Sequence, residues 1–278
     1  MLDDTTRLAV DFLVGLTDDD TAARVRARTG LSAGEPARLA RRRIRRAWNW
    51  SPVPASVALW TLEQDDPRLN ALVWPHLGSN TGLRRAVVRG LPFGPGRTAP
   101  VPVDRELAGE EEPEIPESYL RHGLVGALRA VDSMASARAA CSMVLTRDDW
   151  ATVAEADAGQ PLPGYTRWAL STRPDCPPAL RAGFGTHAKF THRLREAGVL
   201  DGPAAYATGH GPAVRVLEVL AMGRLMFPAR VPEAEDALRP LVRAHLGDRE
   251  EAWAVLAQLA ETFHGTAPEL VRTAGALA

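Results

Sequence analysis

Apolar residues along this chain recur three and four apart, in runs that proline or glycine interrupts after two or three turns. That rhythm excludes most architectures at once. A sheet needs sustained alternation, and the best extended candidate, VPVD from Val101, is too short to build one. A membrane-spanning helix needs about 20 apolar residues in a row. The most apolar run, Ala213 to Phe227, is shorter and carries Arg215, Glu218 and Arg224, so it reads as a core helix. The expected fold is all-α, an irregular right-handed stack of short helices.

The periodicity places helices at Leu8–Leu13, from a cap at Thr17 or Asp18, and at Arg38–Trp48, Val53–Leu62, Leu69–Leu77 and Leu83–Leu91. Pro54 and Pro67 fall near helix starts, where a missing N–H costs least. Residues 92–117 then read PFGPGRTAPVPVDRELAGEEEPEIPE, which predicts a linker or exposed loop between an N-terminal part, 1–91, and a C-terminal part, 118–278. Helical spacing resumes over Tyr119–Val131 and Ala135–Leu145. It continues in a helix capped by Asp148 or Asp149, then at 165–171, 178–184, 188–197, 213–227, 233–245 and 250–263. Pro240 should kink or divide the helix over 233–245.

Two internal echoes are present. LNALVWPHLG from Leu69 is matched by LRPLVRAHLG from Leu238, and WNWSPVPASV from Trp48 by LSTRPDCPPAL from Leu170. RRAWNWSPVPASVALWTLEQDDPRLNALVWPH resembles the variant leucine-rich repeat, a relative in architecture of HEAT-type solenoids. The Pro-bearing turn would be Ser51–Pro54, the aspartate–proline step Asp66–Pro67. LSTRPDCPPALRAGFG is similar, with Asp175, Cys176 and Pro177 at the turn. The likeness covers 38–91 and 165–187. It lacks the family's cysteine cluster and its regular period. What it implies is a solenoid with an interaction surface and no particular chemistry.

Charge is balanced, with 33 Lys and Arg against 34 Asp and Glu, which removes a globally basic nucleic-acid binder. Locally the balance fails. Arg38, Arg41, Arg42, Arg43, Arg45 and Arg46 lie within nine residues, and on a helix Arg38, Arg42, Arg45 and Arg46 share a face. With Trp50 beside it, that face is a candidate surface for an acidic protein, and secondarily for nucleic acid. The opposing reading is a solvated face paired to Glu110, Glu111, Glu112, Glu114 and Glu117. All but one of the cations are arginine, Lys189 being the exception. Together with abundant Ala, Gly and Pro, this points to GC-rich coding. Asp3 and Asp4, with no basic stretch before an apolar core at the N-terminus, argue against a secretory signal, and the expected location is a bacterial cytoplasm.

The remaining chemistry-bearing residues are sparse. Cys141 and Cys176 define neither a disulfide framework nor a thiolate metal site. His76 and His245 occupy matching places in the first echo, at helix ends where a partly protonated imidazole suits the dipole. Cys176 and His187 could approach across a turn, but a zinc site would need two more ligands that the local sequence does not supply. An enzyme site assembled from dispersed residues would lie near His187 or near His210 in its GHG turn. His187 and His192 face different sides of a helix. Phosphate-loop, dinucleotide and metalloprotease motifs do not occur, so no cofactor or metal is expected. The seven tryptophans sit near helix ends and turns, where large rings fill seams between helices. The expectation is a cytoplasmic, non-catalytic interaction scaffold or adaptor with no membrane partner. A nucleic-acid-associated protein and an enzyme are the alternatives.

Overall fold

Helix starts are written locally in this sequence. Asp3 and Asp18 accept backbone N–H bonds at the heads of α1 (Asp4–Val14) and α2 (Asp19–Thr29), as short acceptor side chains at N-caps do. The computed structural model describes residues 2–31, 53–78, 80–185 and 188–278, with the side chains of 188–190 excepted. Among the described residues the regular structure is sixteen α-helices and two 3-10 turns, with no strand. No described helix is long and apolar enough to cross a membrane. The chain forms two compact units: residues 1–50 with 201–278, and residues 51–200.

The first unit comprises α1, α2, α12 (Pro203–Gly209), α13 (Ala213–Met226), α14 (Val231–His245), α15 (Glu250–Ala260) and α16 (Ala267–Leu277). Helix α1 packs on α13, α12 on α14, and α16 on both α14 and α15. The core is apolar: Phe12, Leu13, Leu217, Leu220, Phe227, Leu238 and Trp253 are all buried to 1 % exposure or less. Each such side chain contributes roughly 1.5–3 kcal/mol of burial. Helix α14 continues through Pro240 and is not divided there. Leu238 and Val242, both fully buried, hold the turns on either side of it.

The second unit comprises α3 (Ala55–Leu62), α4 (Pro67–Val73), α5 (Thr81–Val88), α6 (Glu117–Arg129), α7 (Met134–Ala140), α8 (Arg147–Gly159), α9 (Gly164–Ser171), α10 (Pro178–Gly183) and α11 (Ala188–Glu196). Helix α3 packs on α4, α6 on α7 and α8, and α7 on α9. One core gathers Leu128, Leu145, Trp150, Val153, Leu162 and Leu170. Leu120, Leu124 and Leu128, four apart in the sequence, do not form one face. Gly123, with φ +65°, breaks α6 in a conformation that L side chains rarely adopt, so Leu120 is exposed while Leu128 is buried. Helix α8 starts at neither aspartate alone. Thr146 is its cap, and Asp149 reaches back to the Thr146 N–H in a capping box.

The stretch 92–117 lies inside the second unit, held by specific bonds. Asp65, itself at φ +52°, accepts from the Phe93 and Gly94 N–H groups at 2.7 and 3.2 Å. Val101 N–H donates to the Gly90 carbonyl at 2.8 Å. Arg85, fully buried, donates to the Glu112 carboxylate and the Glu114 carbonyl at 2.7 and 2.8 Å. Little of the segment is apolar, so polar anchors do the work that a hydrophobic stripe does elsewhere.

Candidate functional site

The Arg38, Arg42, Arg45, Arg46 and Trp50 surface, and His187, lie outside the described residues. The acidic stretch proposed to face that surface has partners of its own. Glu112 pairs with Arg85 and Arg89 at 2.7 and 2.6 Å, and Glu117 pairs with Arg121. Hydrogen bonding from Arg89, aided by Arg85, holds the Glu112 carboxyl below its ordinary range.

The other titratable candidates scatter. His192 pairs with Glu196 one helical turn on, both exposed. His76 sits in the 3-10 turn Trp74–His76, and burial pushes its pKa down. That shift disfavours the partly protonated imidazole expected there. His210 closes α12 with its ring 5.5 Å from Tyr206 and its Nδ1 without a partner. Cys141 and Cys176 are buried free thiols, and burial raises both to about 12. They stay protonated at neutral pH and are poor nucleophiles.

What the fold does assemble is a guanidinium knot in the turn between α9 and α10. Arg173, 8 % exposed, grips Asp175 through Nε and Nη2 at 2.9 and 2.6 Å. Its Nη1 donates to the carbonyls of Cys141 and Met143, both at 2.6 Å, fixing the turn after α7. Arg181, equally buried, donates to the carbonyls of Ser171, Arg173 and Cys176 at 3.1, 3.1 and 3.0 Å, which fixes the end of α9. Orphan carbonyls at a helix end and in a tight turn need donors, and two planar guanidiniums supply them. The Arg173 head also lies 5.5 Å from the Trp150 ring centroid. Gly82 in the first turn of α5 completes the wall. A Cβ there would lie 2.5 Å from the Met143 carbonyl oxygen and 2.8 Å from the Arg173 guanidinium.

Two clefts open on this wall, and Gly82, Leu83, Arg173 and Asp175 line both. The larger, about 1060 Å³, has Leu59, Phe93, Trp150 and Leu180 in its lining and Glu63, Arg97, Arg147 and Asp148 as its charged groups. The smaller, about 720 Å³, is bounded by the start of α5, Arg138, Trp168, Arg193 and Glu196. Four tryptophans behave as seam residues: Trp60, Trp74, Trp150 and Trp253 are 6 % exposed or less. Trp168 instead lines the smaller cleft.

No family model matches the chain, and no curated protein or solved structure matches it either.

Sequence reasoning did not single out Arg173, Arg181 or Arg85. Part of the signal was available: arginine two residues before aspartate in a proline-rich turn is the pattern of a local ion pair. The carbonyl partners from Cys141 and Met143 carry no sequence mark.

Proposed function

We propose that this chain is a non-catalytic helical scaffold of a bacterial cytoplasm, and that its second unit holds a short, acid-flanked segment of a partner protein. The observation that carries this reading is the larger cleft. Its lining is mainly apolar, as in grooves that seat the apolar face of a peptide. Arg97 and Arg147 stand among its lining groups and donate only to backbone carbonyls: Arg97 to Ala99 and Pro100, Arg147 to Gly94. Among the described residues neither has a carboxylate within ion-pair distance, and although Glu63 and Asp148 share the lining, both guanidiniums keep donors that an acidic flank could take. The Arg38, Arg42, Arg45, Arg46 and Trp50 segment belongs to the same proposal as a second basic contact.

The likeness to HEAT and variant leucine-rich repeats enters here too. Short consecutive helices of the second unit pack on sequence neighbours, α3 on α4 and α6 on α7, as stacked repeats do. The proposal is confined to that unit. In the first, α1 packs on α13 far along the chain, a pairing that an open stack does not make.

Photo-crosslinking tests the reading. A photoreactive residue in place of exposed Ala151, which lines the larger cleft, should yield a discrete protein adduct in cells. Charge reversal by Arg97→Glu with Arg147→Glu should abolish it. An adduct pattern indifferent to those reversals, or none, contradicts the proposal. Adducts to nucleic acid in place of protein would transfer the function to that class.

A further inference from the structure

Just past the end of α3, Asp65 holds a φ of +52°, the one such value outside glycine among the described residues. Glycine takes that conformation freely and aspartate at a cost. The Asp65 N–H donates to the Leu62 carbonyl at 2.9 Å, a bond that glycine would make equally well. What glycine would lack is the carboxylate. Asp65 is buried, and its two oxygens accept the Phe93 and Gly94 N–H groups at 2.7 and 3.2 Å.

The fit is two-sided. A Cβ at Gly94 would lie 2.7 Å from the Asp65 carboxylate and 2.9 Å from the Glu63 carbonyl oxygen, so bare backbone is needed for this approach. The Gly94 carbonyl in turn accepts the Arg97 N–H at 3.3 Å and the Arg147 guanidinium at 2.7 Å. Residues 91–100 form a compact loop. Its neck is the bond from Val101 N–H to the Gly90 carbonyl, and Arg97 ties its far side to the Ala99 and Pro100 carbonyls. The loop supplies Leu91, Pro92, Phe93, Arg97 and Thr98 to the larger cleft, and α8 supplies Arg147. Asp65 does not line the cleft. It reaches it through Phe93 and, by way of the Gly94 carbonyl, through Arg147. Residues held in costly conformations gather at ligand clamps, where the strain serves pre-organisation.

We infer that Asp65 is the positioning residue of the larger cleft: by docking loop 91–100 it sets the Phe93 wall and the Arg147 guanidinium where a partner segment meets them. The inference rests on the partner-binding reading and adds the group that prepares the site. Donors ordered in advance bind more tightly than donors that must be ordered on contact. A loop docked in only a fraction of molecules lowers the apparent affinity by that fraction. An effect of charge alone has the opposite sign. Loss of the Asp65 carboxylate leaves the neighbourhood of Arg97 and Arg147 more positive, which favours an acidic segment. Loss of positioning disfavours it.

The test is the photo-crosslink from position 151 on the full chain, repeated with Asp65→Gly and Asp65→Asn. Asp65→Gly keeps the turn without strain and removes the carboxylate, and adduct yield should fall about fivefold or more. Asp65→Asn keeps one acceptor oxygen and should lie between. Circular dichroism and melting temperature of Asp65→Gly should stay close to the parent's, because relief of the left-handed conformation offsets the lost bonds. Amides at 93 and 94 should exchange faster, which reports the undocked loop. Thr266→Ala, which opens a capping box in the first unit, should leave the adduct unchanged. An adduct that is undiminished or stronger in Asp65→Gly overturns the inference and leaves the partner reading standing. An equal fall in Thr266→Ala overturns it too, by showing general weakening. If Asp65→Gly loses the parent's circular dichroism, Asp65→Asn decides by the same sign. No adduct in the parent contradicts the partner reading and takes this inference with it.

Discussion

The two units bury different things. Among the described residues the first buries three polar side chains, Thr6, Thr21 and Glu218. The second buries nine, and all three buried arginines, Arg85, Arg173 and Arg181, are among them. Longer helices such as α13 and α14 can present apolar residues over several turns and close a core by area alone. Helices of six to eight residues, such as α4, α7 and α10, cannot, and their many ends leave orphan carbonyls. The second unit meets that demand with guanidiniums that reach from one turn to another. Its stability is therefore directional and depends on polar geometry, and its clefts have fixed walls.

The largest effects expected from this contrast come from one core residue in each unit. Trp253→Ala removes a fully buried ring whose Nε1 bonds the Gly247 carbonyl at 3.0 Å, and should cost about 3–5 kcal/mol. Arg173→Met should cost about as much, because it leaves the Asp175 charge and two carbonyls without their donor. The two differ in rescue. Adding Asp175→Leu to Arg173→Met should restore a measurable part of the stability, since the penalty is largely an uncompensated charge. Urea denaturation of the single and double variants decides it; a double variant weaker than Arg173→Met alone would break the distinction.

Next in size is Gly82→Ala. Its Cβ meets a backbone oxygen and the Arg173 head, neither of which has room to yield, and the cost should be about 1–3 kcal/mol in the same denaturation assay. A neutral result would show that the wall is softer than described.

Many of the helix starts were readable in the sequence. Pro54 and Pro67 marked the starts of α3 and α4, and the apolar run at Ala213 marked α13. Helix α16 was missed although Thr266 and Glu269 form a capping box ahead of an apolar run, a local signature that periodicity alone passes over. The first echo shares its ending: Leu77 and Leu246 are buried, and Gly78 and Gly247 have φ +50° and +51°. The preceding segments differ, because Pro75 turns one into a 3-10 turn while the other stays α-helical. The clefts were not readable. Arg173 stands about 30 residues from the carbonyls it binds, and any residue at Cys141 or Met143 offers the same oxygen.

The caps should show where the units are alike. Thr266→Ala at α16 and Thr146→Ala at α8 each remove a capping box and should each cost about 1 kcal/mol by denaturation. A large inequality would mean that local helix stability, not tertiary polar bonding, separates the units.

The smallest effect is that of pH on the 92–117 stretch. Glu112 has a depressed pKa in the folded protein, so its contribution is complete above the unfolded value near 4.5 and is lost as pH falls through the lower folded value. Limited proteolysis within 92–117 should accelerate modestly on acidification below about 4.5, and Glu112→Gln should reproduce that at neutral pH. Cleavage indifferent to both would show that Arg85 holds the stretch through the Glu114 carbonyl alone.

Hydrogen exchange on Arg173→Met tests the central claim most directly. If guanidinium bonds are what fix the walls of the second unit, amides in 141–146 and 171–177 should exchange at least about tenfold faster than in the parent, while those in the middle of α8 change far less. Equal acceleration across the whole of 51–200, or none in those two turns, would contradict it.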